Sequence, residues 1–576
     1  VTKSHFSVIL HVDDKHSHLT KMIINKGPGI MKMKRKLPTT VSGWGALALF
    51  FVTILSLPTL FLIFRVFQPP SENWEHIREY MLQSYITDTL LLALWTGVFA
   101  VAIGTTLAWL VSAYDFPLRG TLKWALLMPL AIPPYIGAYT YHGMLNYTGV
   151  IQVTLREHFD TAVSQRYFDI MNMPGAVFIF TLFLYPYVYA ITRAFFASQA
   201  TSLVENARVL GSGPVRIFLR VVIPIARGAI VAGATLVVLE VLNDYGVVSY
   251  FGIQTFSTAI FQTWFAFGDL DAAIKLAGIL MGIVFILLFL EKLLRGRRQF
   301  SYSNTKVSPL KPVPLKGWHK WMAVFYTGII FTLGFFLPVA QLLYWSFLTY
   351  EDIFSNTFLA LIRNSALAAG ISAAGVVIIA IVIANFARMS KGWLPALTSR
   401  LTVLGYSIPG AVIAVGVISF FISMDEWLGA FYSSVGASTN LVLSTSIVML
   451  LFAYIIRFMA VGYNSIEAGF DKIGMKFNEA SRTLGMGWTE TFLRVDLKMI
   501  RPAIFSGFIL VFVDILKELP LTLILRPFNF ETLASMAYRY ASDERIQEAA
   551  PASIFIVLVS GVAMFIFHII IEKEPN

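Results

Sequence analysis

The stretch ENARVLGSGPVRIFLRV (residues 205–221) returns as EASRTLGMGWTETFLRV (residues 479–495). Glu479 lies 274 residues after Glu205, and the same shift takes Leu210-Gly211 to Leu484-Gly485 and Gly233 to Gly507. It also takes Glu240 to Asp514, Asp244 to Glu518 and Asp269 to Asp543, while Ile132-Pro133 pairs with Ile408-Pro409 at a shift of 276. A constant shift over this distance is the mark of an internal repeat, so the chain reads as two halves of one plan. Neither copy is apolar enough to cross a membrane, yet both lie between long apolar runs.

Those runs set the class. Of 576 residues, 57% are hydrophobic and 13% charged, about half the charge of a soluble domain. A spanning helix needs about 20 apolar residues. About twelve candidates fall near 44–66, 88–113, 122–143, 174–197, 228–250 and 272–292, then 320–347, 364–387, 399–421, 440–463, 503–526 and 550–571. They are long and continuous, which excludes the short alternating strands of a membrane barrel. The expected fold is an all-α polytopic membrane protein with two tandem parallel repeats of about six helices.

The net charge of +11 raises nucleic acid as a partner, but the basic residues cluster after every even number of spans. They are the N-terminal KMKRK, Arg119 and Lys123, both repeated loops, the segment RGRRQFSYSNTKVSPLKPVPLKGWHK and RMSKGW. The positive-inside rule then places both loops, both termini and the linker in the cytoplasm, and no nucleic-acid partner is expected. The domain reading is residues 1–40 as a disordered or cytoplasmic N-terminal segment, 41–292 as the first repeat, 293–318 as a linker and 319–576 as the second repeat. MKMKRK from Met31 reads as a natural start, so residues 1–30 are expected to be disordered or to come from an upstream start codon. With no Cys in the chain, disulfides and thiolate metal sites are excluded.

Locally, each loop reads as a helical hairpin. Ser202 and Glu205 have capping-box spacing. Gly211 suits a left-handed residue that ends a helix, and Pro214 suits the first turn of the next. Glu479, Leu484, Gly485 and Gly487 repeat the pattern. Two rigid hairpins about a pseudo-twofold axis suit a two-fold symmetric partner; the alternative is an interfacial helix that anchors the bundle.

Glu240 and Asp244 stand at i, i+4 inside an apolar run, with Asp514 and Glu518 as mates and Lys517 beside them. An ionisable group at mid-membrane costs about 2.5–3.5 kcal/mol on insertion scales and faces the bundle interior. These five line a translocation path or gate that attracts a cation, or they are hydrogen-bonded across the halves with Lys517 as partner. Tyr185, Tyr187 and Tyr189 tempt a phenolate reading, but spacing of two does not share a helix face. His142 reads as packed or hydrogen-bonded, and Pro133 and Pro409 as helix kinks.

The pattern Glu-Ala-Ala, three residues, Gly, nine residues, Ile-x-Leu-Pro is similar to the EAA loop of bacterial ATP-binding-cassette importer permeases. Glu205, Ala207, Gly211, Val221, Ile223 and Pro224 match in the first copy, and Glu479, Ala480, Gly485, Val495 and Leu497 in the second. Asn206 and Ser481 depart from Ala, and Lys498 from Pro, so the helix after the second loop is expected to bend differently. The stretches LKELPLTLILRPFNFETLA, YASDERIQEAAPA and NDYGVVSYFGIQTFSTAIFQTWFAFGD resemble ferric-iron importer permeases. Fused thiamine and aminoethylphosphonate permeases share the architecture.

The resemblance implies a type I (MetI-like) importer permease fold in the bacterial inner membrane. Residues Glu205, Ala207, Leu210, Gly211 and Gly213, with Glu479, Ala480, Leu484, Gly485 and Gly487, would couple to a separate homodimeric ATPase. ATP and Mg²⁺ would sit on that partner, with no cofactor bound by this chain, and a periplasmic binding protein would deliver substrate. Membrane lipid surrounds the rest. The sequence contains no G-x-x-x-x-G-K-[ST], H-E-x-x-H or G-x-S-x-G, so the chain reads as a transport subunit and not an enzyme. An ion-gradient-driven secondary transporter is the reading from another class.

Overall fold

The computed structural model describes residues 43–161, 163–199, 201–295, 312–353, 355–390, 392–434 and 441–572. The Met31 reading and the segment 1–40 lie outside them, as does most of the expected linker. The last helix of the first half runs on to Arg295, and Val313–Pro314 forms a two-residue parallel pairing with Tyr114–Asp115.

Among the described residues, ten helices are long and apolar enough to span a membrane, and an eleventh candidate is a pair bent by 69°. The expected span at 122–143 is not one helix. It divides into Arg119–Ala125, a 3₁₀ turn Met128–Ala131 and a helix Pro134–Leu145. Pro129, Pro133 and Pro134 each lack the N–H that a continuous helix needs, and three in six residues end it. Its mate breaks at the same place, with helices Trp393–Ser407 and Gly410–Ser434 on either side of Ile408-Pro409. Pro133 and Pro409 therefore separate helices where a kink was expected. The run at 503–526 also stops, at Leu516, before a short helix Pro520–Leu525.

The repeat is legible in the packing. Helices Leu82–Ala113, Met173–Gln199 and Ile223–Asn243 pack mutually, and so do their mates Asn356–Met389, Ile447–Ile473 and Arg501–Leu516. The first helix of each half crosses to the other. Gly43–Val66 packs on Gly410–Ser434, and Leu337–Leu348 packs on Pro134–Leu145 as well as on its own last helix. Close approach needs small residues where lipid offers no hydrophobic drive. A Cβ on Gly233 would meet Val188 Cα at 2.7 Å, and one on Gly104 would meet Val188 Cβ at 2.7 Å. Two helices thus close on a third at one valine.

Candidate functional site

The first repeated loop is a helix Thr201–Val209, a turn and a short helix Pro214–Ile217. Ser202 stands in the first turn of that helix, and its side chain, on which the capping-box reading rests, lies outside the described residues. Gly211 has φ +77°, the Gly211 N–H donates to Arg208 O at 2.9 Å, and the Ser212 N–H donates to Ala207 O at 3.1 Å. This is a Schellman turn, which satisfies carbonyls at the helix end. The second copy repeats it, with Gly485 at φ +92° and the Met486 N–H donating to Ser481 O at 3.3 Å. Gly213 and Gly487 are extended and open the next helix in each copy. One turn further on, both copies carry a π-helical turn, Phe218–Val222 and Phe492–Asp496.

The hairpin tips present apolar side chains to solvent. Leu210 is 82% exposed and Leu484 85%. Glu205, Glu479 and Ala480 are exposed, and Ala207 is half-buried. The roots differ. Val204, Ile217 and Val222 anchor the first hairpin as a buried apolar set, while Asn478, Thr491 and Asp496 take those places in the second. Asn478 Nδ2 donates to Asp496 Oδ2 at 2.9 Å, Arg388 lies 3.4 Å from Asp496 Oδ1, and Ser481 Oγ lies 3.0 Å from Thr491 Oγ1. Sequence reading passed over this network; its signal was polar residues opposite valines at the repeat shift. Beyond it, the helix Pro214–Asn243 is one span, whereas Trp488–Met499 and Arg501–Leu516 meet at 69° before Pro502. That is the different bend expected from the second copy.

Between the halves lies a cavity of about 120 Å³ that brings all five membrane ionisable candidates together. The two broken segments open it. Leu130, Ile132, Pro133, Pro134 and Tyr135 form one side, and Tyr406, at the end of the other broken segment, reaches in. Asp244 Oδ1 accepts from the Val247 amide at 2.8 Å, and its mate Glu518 accepts from the Leu521 amide at 3.3 Å. Each carboxylate thus caps the short helix after its span, a shared structural duty. The other pair binds side chains. Glu240 Oε1 accepts from the Tyr406 hydroxyl across the halves at 3.1 Å, and Asp514 Oδ1 lies 2.9 Å from Lys517 Nζ. The carboxylates therefore both line a cavity and have structural partners.

Arg457 also lines this cavity and was not anticipated, although it interrupts the apolar run IVMLLFAYIIRFMAVGY. It is 4% exposed and donates to Tyr406 O at 2.9 Å and Ile408 O at 2.8 Å. Those carbonyls lie at the end of the helix Trp393–Ser407, where Pro409 has no N–H and the Gly410 amide is turned to Asn243. The cavity thus holds four carboxylates against two cations, and its several waters' worth of room is set in a low-dielectric surround.

Of the three tyrosines, Tyr185 and Tyr189 share a face and donate to Leu126 O at 3.0 Å and Lys123 O at 2.8 Å, while Tyr187 lines the cavity. His142 Nδ1 pairs with the Tyr250 hydroxyl at 2.7 Å. Among the described residues, no three His, Asp or Glu side chains gather as a metal ligand set.

Residues 45–291 and 376–574 each match the family described as binding-protein-dependent transport system inner membrane component. The chain is 27% identical to the Fe(3+)-transport system permease protein FbpB 2 of Haemophilus influenzae, covering 89% of this chain and 95% of that one. A probable ABC transporter permease protein of Sinorhizobium fredii is 21% identical over 83% of this chain and 86% of its own. The sulfate transport system permease protein CysT of Salmonella typhimurium is 25% identical and covers 46% of this chain with 95% of its own. Among solved structures, a bacterial alginate ABC transporter in complex with an alginate pentasaccharide-bound periplasmic protein matches at TM-score 0.36 and 18% identity, covering 43% of this chain and 92% of that one.

Proposed function

The chain belongs to the family of binding-protein-dependent transport system inner membrane components, with two copies fused in one multi-pass polypeptide, and from that membership we propose that it carries ferric iron into the cell. The observation that carries this reading is the convergence of Glu240, Asp244, Asp514 and Glu518, two from each half, on one cavity between the halves. An excess of carboxylates favours a cation over an anion such as sulfate, and similarity to a Fe(3+) permease along nearly the whole chain supports iron as that cation. The substrate passes as cargo, received from a periplasmic binding protein.

The two Gly-hinged hairpins dock a homodimeric ATPase on the cytoplasmic side, where both termini also lie. Leu210 and Leu484 are the exposed apolar anchors for that contact, with Glu205, Ala207, Gly213, Glu479, Ala480 and Gly487 around them. ATP and Mg²⁺ belong to the partner. Its closure draws the hairpins together and tilts the interlocked halves, a rigid-body switch that opens the cavity to one side at a time.

The test is radiolabelled ferric-iron uptake in cells expressing the chain with its ATPase, for wild type and a Gly211→Pro, Gly485→Pro double variant at equal membrane levels. Proline fixes φ near −65° and removes the N–H that closes each turn. The expected result is loss of both uptake and ATPase co-purification. Normal uptake by the double variant would refute coupling through the hairpins, and absence of iron uptake in wild type would refute the substrate.

A further inference from the structure

The walls of the cavity differ at one repeat-related position. In the first half it is Asn243, whose Oδ1 accepts from the Gly410 amide across the interface, so the side chain is pinned. Its mate is Lys517, whose ammonium sits 2.9 Å from Asp514 with both side chains 27% exposed. A lysine is a compact charge on a flexible stem, and 27% exposure of both side chains leaves the pair in contact with the cavity, where the ammonium can swing aside. Tyr135, 3% exposed and lining the same cavity, has a hydroxyl with no hydrogen-bond partner among the described residues. Leaving such a group unpaired is costly, and a hydrated guest would satisfy it.

Resting on the reading of this cavity as a cation path, we propose that Lys517 is a tethered substitute for the cargo: its ammonium neutralises Asp514 while the cavity is empty, and a trivalent cation displaces it. A monovalent ion would exchange charge for charge and gain nothing. A trivalent ion gains about threefold in Coulomb attraction to the carboxylate. Once displaced, the ammonium stays on its stem beside the cargo and repels it, which keeps binding weak enough for release. Lys517 is thereby a specificity-determining residue, selecting by charge.

The test uses the full chain purified with its ATPase in detergent, and terbium(III) as a trivalent probe whose luminescence is sensitised by Tyr135, Tyr187 and Tyr406 in the cavity wall. Lys517→Met is expected to tighten terbium binding about fivefold, the coupling of one partly exposed ion pair. Lys517→Arg is expected to return it toward wild type, and adding Asp514→Asn to Lys517→Met to abolish the gain. If Lys517→Met does not assemble, Lys517→Gln gives the same readout. Terbium binding no tighter without the ammonium, while Glu240→Gln still weakens it, would overturn the tether and leave the cation path standing. Binding unaffected by Glu240→Gln and Glu518→Gln would overturn both.

Discussion

Replacing Arg457 by Met is predicted to damage the fold of the broken segment rather than the charge of the path alone. The guanidinium makes two hydrogen bonds, to Tyr406 O at 2.9 Å and Ile408 O at 2.8 Å, and is 4% exposed. Bonds from a charged donor contribute about 1.5–3 kcal/mol each in soluble proteins, and interhelical bonds in membranes average about 0.6 with a ceiling near 1.7. Two of them, with two buried carbonyls left unpaired, place the cost of Arg457→Met at about 2–4 kcal/mol. A lysine at this position would keep the charge but not the fork, so Arg457→Lys should recover about half. The assay is equilibrium unfolding in mixed micelles, with iron uptake measured in parallel. The repeat mate is Phe183, which packs against Gly137 and carries no such duty, so Phe183→Leu should cost less than about 1.5 kcal/mol. Arg457→Met with unchanged stability would refute the claim that this arginine closes the helix end.

Three further outcomes follow from the packing and the loops. Gly233→Ala should destabilise by about 1–3 kcal/mol because its Cβ meets the Val188 backbone at 2.7 Å, a contact that cannot relax by a rotamer change. Gly507→Ala should cost less than about 1 kcal/mol, its Cβ meeting the Ser465 side chain at 3.1 Å and the Gly462 carbonyl oxygen only at an ordinary 3.7 Å; unfolding of the pair in the same micelles checks the order. Gly211→Ala meets nothing within 4 Å among the described residues but holds φ +77°, so its cost is backbone strain, about 1–2 kcal/mol, read as faster amide exchange in residues 207–212. Burial pushes the Asp269 carboxyl up, but hydrogen bonds to its carboxylate, those from the Ala272 amide and the Asn73 side chain among them, outweigh it and hold the group below the usual carboxylate range. A lowered folded value means that its stabilisation is present at neutral pH and lost as pH falls through that value. Asp269→Asn should lower stability at pH 7 and flatten the acid limb below roughly pH 4.

The architecture was legible because membrane solvent imposes a coarse code. Apolar length gives spans, basic loops give an expected orientation, and a constant shift of 274 gives the repeat. The hairpin turn was equally legible, since only glycine takes φ +77° and +92° without strain. Span continuity was less so. The segment 122–143 is apolar enough to cross, and hydropathy does not register that Pro129, Pro133 and Pro134 have no N–H with which to continue a helix. The sequence also placed Glu240, Asp244, Asp514, Lys517 and Glu518 in the membrane without saying which of them meet.

By itself, then, the sequence determined a two-fold helical membrane protein with paired hairpins and paired buried acids. Those properties are local or periodic, and each residue's own spacing carries them. Only the tertiary structure decided that each half lends its first helix to the other, that the two broken segments face one another, and that Arg457 and Tyr187 join the acids around one cavity. Such juxtapositions depend on how helices far apart in sequence close on one another. That closure is set by small residues where the halves meet, such as Gly416 against Pro58 and Leu62 and Gly143 against Trp345, and by carbonyls freed at the proline breaks, which recruit donors from elsewhere in the chain.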